Sequence, residues 1–540
     1  MSLSMDRRRF LTVAGATGAG ALLLPTAAMA AEPAPPSEPL GPLLRGEDGR
    51  PLMFKKHGLY SHDYKRSWHD LPTGDVLAAH DPGTIEWTDV IGEEFRQEFH
   101  DQDEVVIRDL NLRLRWNTSN VAKWDKSLFY ISNVKRIVVE NVNIESLDPD
   151  FRTWSDFLIE GADEVIFRNC YFAGATRSYH LRIEAVANVF VDRVEIAGLD
   201  GVDGDGVPYR GRTGAGIWLE NGQSGREDGD PNNPSLSAEH PRDPQWAVIQ
   251  NCYFHNGIDV PIGGNRDALL AHHYPDGAVF NNVVRNWFRD DMDAGFDLGA
   301  RRKEDFLQGK TMRVERNILE NVSFYKNPAF LETDCRLLWT NNLLINTKLD
   351  FYASDQEVNH IHNTYIQDLD AFASDDIRSL AARGATSYHW KFGATGGCTF
   401  NLENGLTVFR TGGGFSPWYA NTSSDPEKVI ETARPDHMVY GVGGMHSQWL
   451  KHDVAGWGYD TFEDWQAGTG FDASSVVEDP QTEWFVDYAG KDFRLVENLW
   501  PDVPSHDYLH HPEIAMRITR DFNGRPRTMG NLAPGAFNAI

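Results

Sequence analysis

The chain has 540 residues, 41% of them hydrophobic and 11% aromatic, with 48 Gly and 27 Pro, a composition that excludes a wholly disordered chain and predicts a folded one with many turns. Acidic side chains outnumber basic ones 79 to 51, for a net charge of −28. So acidic a surface repels nucleic acid and anionic membranes, which argues against either as a partner.

At the N-terminus, Arg7-Arg8-Arg9-Phe10-Leu11 precedes an apolar stretch, Thr12 to Ala28, that closes on Ala28-Met29-Ala30. This pattern predicts a twin-arginine-type export signal over residues 1–30, with small residues at its cleavage site. The mature protein is then periplasmic or extracellular, with no membrane attachment, since no later stretch has the length or apolarity to span a bilayer. Residues 31–100 read as a Pro-rich lead-in and an N-terminal cap, which protects the open edge of whatever sheet follows.

From residue 101 to 410 one short phrase recurs: an apolar alternating run, then Asn or Asp, then another apolar run. Its copies are VIRDLNLRL, VVENVNIES, IFRNCYFAG, FVDRVEIAG, VIQNCYFHN, VFNNVVRN, VERNILEN, WTNNLLIN, HIHNTYIQ and NLENGLTVF. The polar markers are Asp109, Asn141, Asn169, Asp192, Asn251, Asn282, Asn317, Asn342, Asn363 and Asn404, 21 to 59 residues apart. The shortest intervals fall near 21 to 25 residues and the longer ones read as the same unit with a loop inserted; such a repeat means a solenoid, and the β-branched and aromatic runs predict strands rather than helices. An Asn recurring at a bend satisfies backbone groups that would otherwise be buried unpaired.

This asparagine pattern resembles the ladders of the right-handed parallel β-helix (pectate-lyase-like) superfamily. The resemblance implies an all-β fold: a right-handed parallel β-helix solenoid of about ten coils, with an N-terminal cap and an irregular C-terminal segment over residues 411–540 that packs on it. Of the four cysteines, Cys335 and Cys398 join no zinc spacing, and Cys170 and Cys252 each follow a ladder Asn. Those two are predicted to be small fillers about 10 Å apart, too far for a disulfide. Between Glu220 and Gln245 the polar, Gly- and Pro-rich sequence predicts a projecting loop, and Asp368 to Gly384 predicts a short helix between coils. A brief helix over Phe462–Gly470 precedes a tail, Lys491 to Leu495 and Asp521 to Arg527. That tail resembles the closing segment of secreted β-helix proteins among carbohydrate-active enzymes.

A second set of strands precedes the ladder: DFLIEG, HLRIEA, GIWLEN, DVPIGG, GFDLGA, AFLETD, DFYASD and HWKFGA. Alternation places on their outer face His180, Arg182 and Glu184, then Trp218 and Glu220, Asp259, Asp297, Glu332, and His389 and Lys391. An indole beside carboxylates on such a face suits a carbohydrate polymer or oligosaccharide, with the apolar sugar face on the ring and the hydroxyls on the charges. Asp297 and Glu332, on successive copies, would stand roughly 5 to 9 Å apart, the range of a glycosidase carboxylate pair. Asp291, Asp293 and Asp334 stand near enough in sequence to raise one partner's pKa by like-charge crowding.

The second reading is a polysaccharide lyase acting by β-elimination on a uronate polymer, with His180, Arg182, His389 and Lys391 as bases and charge neutralisers. The Arg-x-x-Arg-x-Pro-x-x-Arg pattern of pectate lyases is missing, as are the Gly-His-Gly and Arg-Ile-Lys signatures of polygalacturonases, so the resemblance does not reach those families' catalytic residues. A third reading is a non-catalytic glycan-binding surface protein. No cofactor is required by any of these patterns. Asp200-Gly201-Val202-Asp203-Gly204-Asp205-Gly206 has the oxygen-rich look of a calcium loop but lacks the bidentate Glu, so a Gly/Asp turn is preferred and no metal ligand is assigned. Side-by-side oligomers are compatible with a solenoid.

Overall fold

Parallel strands stacked in register account for the repeat. The structure is a computed structural model that describes residues 52–54, 78–80, 87–115, 127–146, 155–174, 176, 179–198, 215–220, strands and turns between 242 and 452, and 458–504, 521–523, 527 and 532–539. Gly41–Ile540 form one compact unit. The signal region, the Asp200–Gly206 loop, Cys335 and Cys398 lie outside the described residues.

Four long strands, Glu104–Arg115, Phe129–Ser146, Phe157–Ala173 and Tyr179–Ala197, pair side by side and parallel. Each of the longest bends where a residue takes a left-handed conformation, so one strand supplies several faces of a coil. The first corner holds Asp101, Asn133, Gly161 and Ala185, and the second holds Asp109, Asn141, Asn169 and Arg193. In later coils the second and third faces continue as short strands, such as Trp246–Gln250 with Tyr253–His255 and Thr311–Glu315 with Ile318–Val322. All belong to one 24-stranded sheet. The fold is all-β, and its coiled parallel sheet is that of a β-solenoid.

The register explains the apolar alternation. Val139, Phe167, Val191, Ile249, Val279, Val314, Trp339, His360 and Leu402 are successive Cα partners down the second face. All are buried, and each large apolar member contributes about 1.5–3 kcal/mol by leaving water.

Nine of the ten polar markers divide between two columns one residue apart. The second corner continues through Asn251, Asn281, Arg316, Asn341, His362, Asn404 and His437, with φ between 53 and 58° from Asp109 onward. Asn and Asp visit this region most readily of the residues with side chains, which is why they recur there. The residue after each corner points inward. It is Cys170, Cys252, Asn282, Asn317, Asn342, Asn363, Gly405 and Met438 in the coils that matter here, all but the glycine among the buried side chains. Asp192 belongs to neither column; it precedes the corner and accepts from Asn251 Nδ2 at 2.7 Å.

The four inner asparagines form a continuous ladder. Each Oδ1 accepts the backbone N–H of the coil before it, as from Asn282 to Asn317 at 2.9 Å, Asn317 to Asn342 at 3.0 Å and Asn342 to Asn363 at 2.8 Å. Each Nδ2 donates to a carbonyl of the preceding coil, Ile249, Val279, Val314 or Trp339, at 2.8–2.9 Å. Buried polar groups are thereby satisfied without water. Cys170 and Cys252 are buried free thiols in this same inner column, separated by the coil of Val194.

Outward residues of the third face, Val283, Ile318, Leu343, Leu406 and Val439, are buried beneath Trp484, Phe485, Trp500, Phe522 and Phe537. Arg527 ties this closing segment to the corner residue Asn341 at 2.6 Å and to the Gly535 and Ala536 carbonyls. The helix Phe462–Thr469 forms as its sequence predicts, with Thr461 as N-cap and Gly470 at φ 75° as C-cap. Within the Asp368 to Gly384 stretch a helical turn forms at Leu369–Phe372, where Asp368 caps it by accepting from Ala371 N. Arg378, Ala381 and Ala382 are also helical. Arg242, near the end of the Glu220–Gln245 insertion, is held back against earlier coils by Asp163 at 2.6 Å and Asn133 at 3.3 Å. Among the described residues no helix is long and apolar enough to cross a membrane.

Candidate functional site

Leu181 and Ile183 are fully buried in the core, so alternation turns His180, Arg182 and Glu184 to the other side of the first face. Strand register then builds two columns there. Glu98, Tyr130, Leu158, Arg182, Trp218, Leu270 and Asp297 are successive Cα partners in one. His100, Ser132, Glu160, Glu184 and Glu220 make up the other. Asp297 thus stands two rungs beyond Trp218, about 10 Å along the axis. The structure brings Arg182, Glu184, Trp218, Glu220 and Asp297 onto one strip.

The described side chains of the strip are held in local polar and ring contacts. The Arg182 guanidinium is hydrogen-bonded through Nε to Glu184 Oε1 and lies 5.1 Å from the centre of the Trp218 indole. Tyr179 meets that indole edge-on at 4.7 Å. Tyr130 Oη donates to Glu160 Oε2 at 2.9 Å. Burial, and then the Glu160 charge, push the Tyr130 phenol well above its ordinary range. His100 Nδ1 sits 2.7 Å from Ser132 Oγ, and its ring packs on Tyr130. His180 Nδ1 is 2.6 Å from Asp156 Oδ2.

The strip differs from a freely solvated face. His180 is 1% exposed, Glu184 2%, Glu160 4% and Arg182 9%, while Trp218 is half-buried. The strand Leu52–Phe54 packs against Phe157–Ala173 and Tyr179–Ala197, which long-range packing alone decides. Charges buried to this extent cost several kcal/mol each unless paired, so the pairing of Arg182 with Glu184 is a condition of the strip's existence.

Among the described residues, strand pairing does not join the remaining candidates to this strip. Asp259 lies outside the described residues, and the rung assigned to its segment is filled by Leu269–Ala271, which pairs with Ala215–Glu220 on one side and Phe296–Asp297 on the other. Glu332 is on Phe330–Glu332, the first strand of a separate six-stranded sheet, with Ser354 as its Cα partner. His389 and Lys391 are on Tyr388–Phe392 of that sheet, Lys391 opposite Asp350 and Tyr419. Among the described residues no pairing joins Phe296–Asp297 to Phe330–Glu332, and the side chains of Glu220, Asp297, Glu332, His389 and Lys391 lie outside the description.

Sequence reasoning missed Tyr130, Asp156 and Glu160. Glu160 was legible, since DFLIEG aligns it with Glu184; Tyr130 required the register of one further coil. It also missed a second buried cluster, on the third face, where Glu195 Oε1 meets His255 Nε2 at 2.8 Å and His255 stacks on Tyr253 at 4.3 Å. Burial raises the Glu195 carboxyl well above its ordinary value. The same desolvation pushes the Cys170 thiol up to about 12 and Cys252 higher still, which leaves both unreactive. Among the described residues no group of three or more His, Cys, Asp and Glu is arranged to hold a metal ion. No protein-family model matches this chain, and no curated protein matches it.

Proposed function

We propose that this is an exported carbohydrate-active enzyme of the right-handed parallel β-helix (pectate-lyase-like) kind, which holds a glycan along the first face and cleaves its glycosidic bonds with paired carboxylates. The observation that carries this reading is the single column of Arg182, Trp218 and Asp297. It sets an aromatic platform on a rigid parallel sheet two rungs from an acid, with Glu184 beside the platform. In this reading Asp297 and Glu332 are the catalytic pair. One, as a carboxylic acid, protonates the departing glycosidic oxygen; the other, as a carboxylate, activates water or attacks the anomeric carbon. Trp218 supports the sugar's apolar face and Glu220 receives hydroxyls. His180, Arg182 and Glu184 form the floor that holds the platform. No resident cofactor has a role, and the twin-arginine-type signal supplies export.

The lyase reading draws on Arg182 as neutraliser of a uronate carboxylate. Against it, the Arg182 guanidinium is already bonded to Glu184 and lies over Trp218, and burial holds the nearby Tyr130 phenol protonated, so it does not supply a phenolate base. Product analysis on a broad glycan panel separates the readings. Hydrolysis gives new reducing ends with no unsaturated uronate absorbance, elimination gives that absorbance, and retained binding with no product leaves a glycan-binding protein.

A further inference from the structure

The first-face columns carry a charge imbalance that bears on what kind of glycan fits. Along the strands from Gln97–His100 to Phe296–Asp297 the two columns place Glu98, Glu160, Glu184, Glu220 and Asp297 against one basic residue, Arg182. Arg182 is engaged twice, by Glu184 and by the Trp218 indole. The next nearest described cation in sequence, Arg96, is bonded to Glu98 at 2.7 Å. Asp156, beside His180, adds a further carboxyl to the floor. Acidic residues gathered along one face add their potentials, and low-dielectric surroundings keep those potentials from being screened as they would be in water.

Resting on the glycan reading above, we infer that the first face selects uncharged glycans and rejects uronate or sulfated ones. A neutral sugar offers hydroxyl donors to the carboxylates and an apolar face to Trp218, and meets no repulsion. A uronate on the same rungs faces acids with no uncommitted guanidinium in the two columns to receive it. The discrimination is by repulsion, an added cost against the wrong ligand rather than a better fit for the right one.

Polymers with a shared backbone and different charge test this with the full-length exported protein. Suitable pairs are fully methyl-esterified against de-esterified homogalacturonan, hydroxyethylcellulose against carboxymethylcellulose, and unsubstituted xylan against glucuronoxylan. In any pair that binds, the uncharged member is expected to bind at least about tenfold tighter at low salt, and the gap to narrow as salt rises toward a Debye length of about 3 Å. Glu98→Gln, at an exposed position, and Glu220→Gln are each expected to narrow the gap at low salt. Equal or tighter binding of the charged member overturns the inference while leaving the glycan reading intact. Failure of every member of every pair to bind removes the glycan reading and this inference together.

Discussion

Replacing Asn317 by Ala tests how the solenoid is held together. The Asn317 side chain is completely buried. Its Oδ1 accepts the Asn282 N–H at 2.9 Å and Asn282 Nδ2 at 3.1 Å; its Nδ2 donates to the Val279 carbonyl at 2.9 Å and to Asn342 Oδ1 at 3.0 Å. Alanine leaves the Asn282 N–H without an acceptor inside the core, at about 1–3 kcal/mol, and removes a donor from the Val279 carbonyl, at about 0.5–1.5 kcal/mol. Asn282 Nδ2 keeps Ile249 and Asn342 Oδ1 keeps the Asn317 N–H, so the loss stops there, at about 2–4 kcal/mol. Cys252→Ala is the control. It lies in the same inner column and is as deeply buried, but its side chain accepts no backbone N–H from the coil before it, and trimming it costs about 1 kcal/mol. Urea denaturation followed by circular dichroism compares the two midpoints. Equal losses for Asn317→Ala and Cys252→Ala would refute the ladder argument.

Three further outcomes follow from the geometry. Arg182→Ala strands Glu184 in a nearly dry setting and is expected to lower stability by about 3–5 kcal/mol, with part recovered when Glu184→Ala is added; a double variant no better than the single one contradicts the pairing, as read from denaturation midpoints. Burial raises the Asp472 carboxyl from 3.8 to about 6, against the opposing hydrogen bonds from Ser475, Trp465 and Tyr440. The folded state therefore holds that proton more tightly than the unfolded chain, and a stabilisation on the order of 3 kcal/mol is complete below pH 3.8 and lost as pH rises through about 6. Asp472→Asn is expected to flatten the stability–pH curve in that window, and an unchanged slope contradicts the assignment. Gly174 has φ +108°, and a Cβ there would stand 2.1 Å from the Ser146 carbonyl oxygen, so Gly174→Ala is expected to cost about 3 kcal/mol or more and to depress soluble yield.

Much of the fold could be read from residues alone, because the period-2 alternation and the Asn markers are local signals. The division of those markers was harder to see. Asn281-Asn282 and Asn341-Asn342 present both columns at once, while Arg193, Arg316, His362 and His437 occupy the corner without any polar amide to announce it. The buried state of Glu160, Glu184 and His180 was invisible for a different reason. Alternation shows which side a residue faces, but only distant chain segments decide whether that side meets water. Alternation alone did not single out Leu269–Ala271, which takes the rung between Trp218 and Asp297. Trp218 and Asp297 share a column because the residues before them, Ile217 and Phe296, are both Cα partners of Leu269.

The most direct test of the central claim is turnover of a neutral polysaccharide, followed as new reducing ends, by the wild-type protein and by Asp297→Asn and Glu332→Gln. The account predicts product from the wild type without unsaturated uronate, and a fall of at least about a hundredfold in each variant while glycan binding is retained. Full turnover by both variants contradicts it.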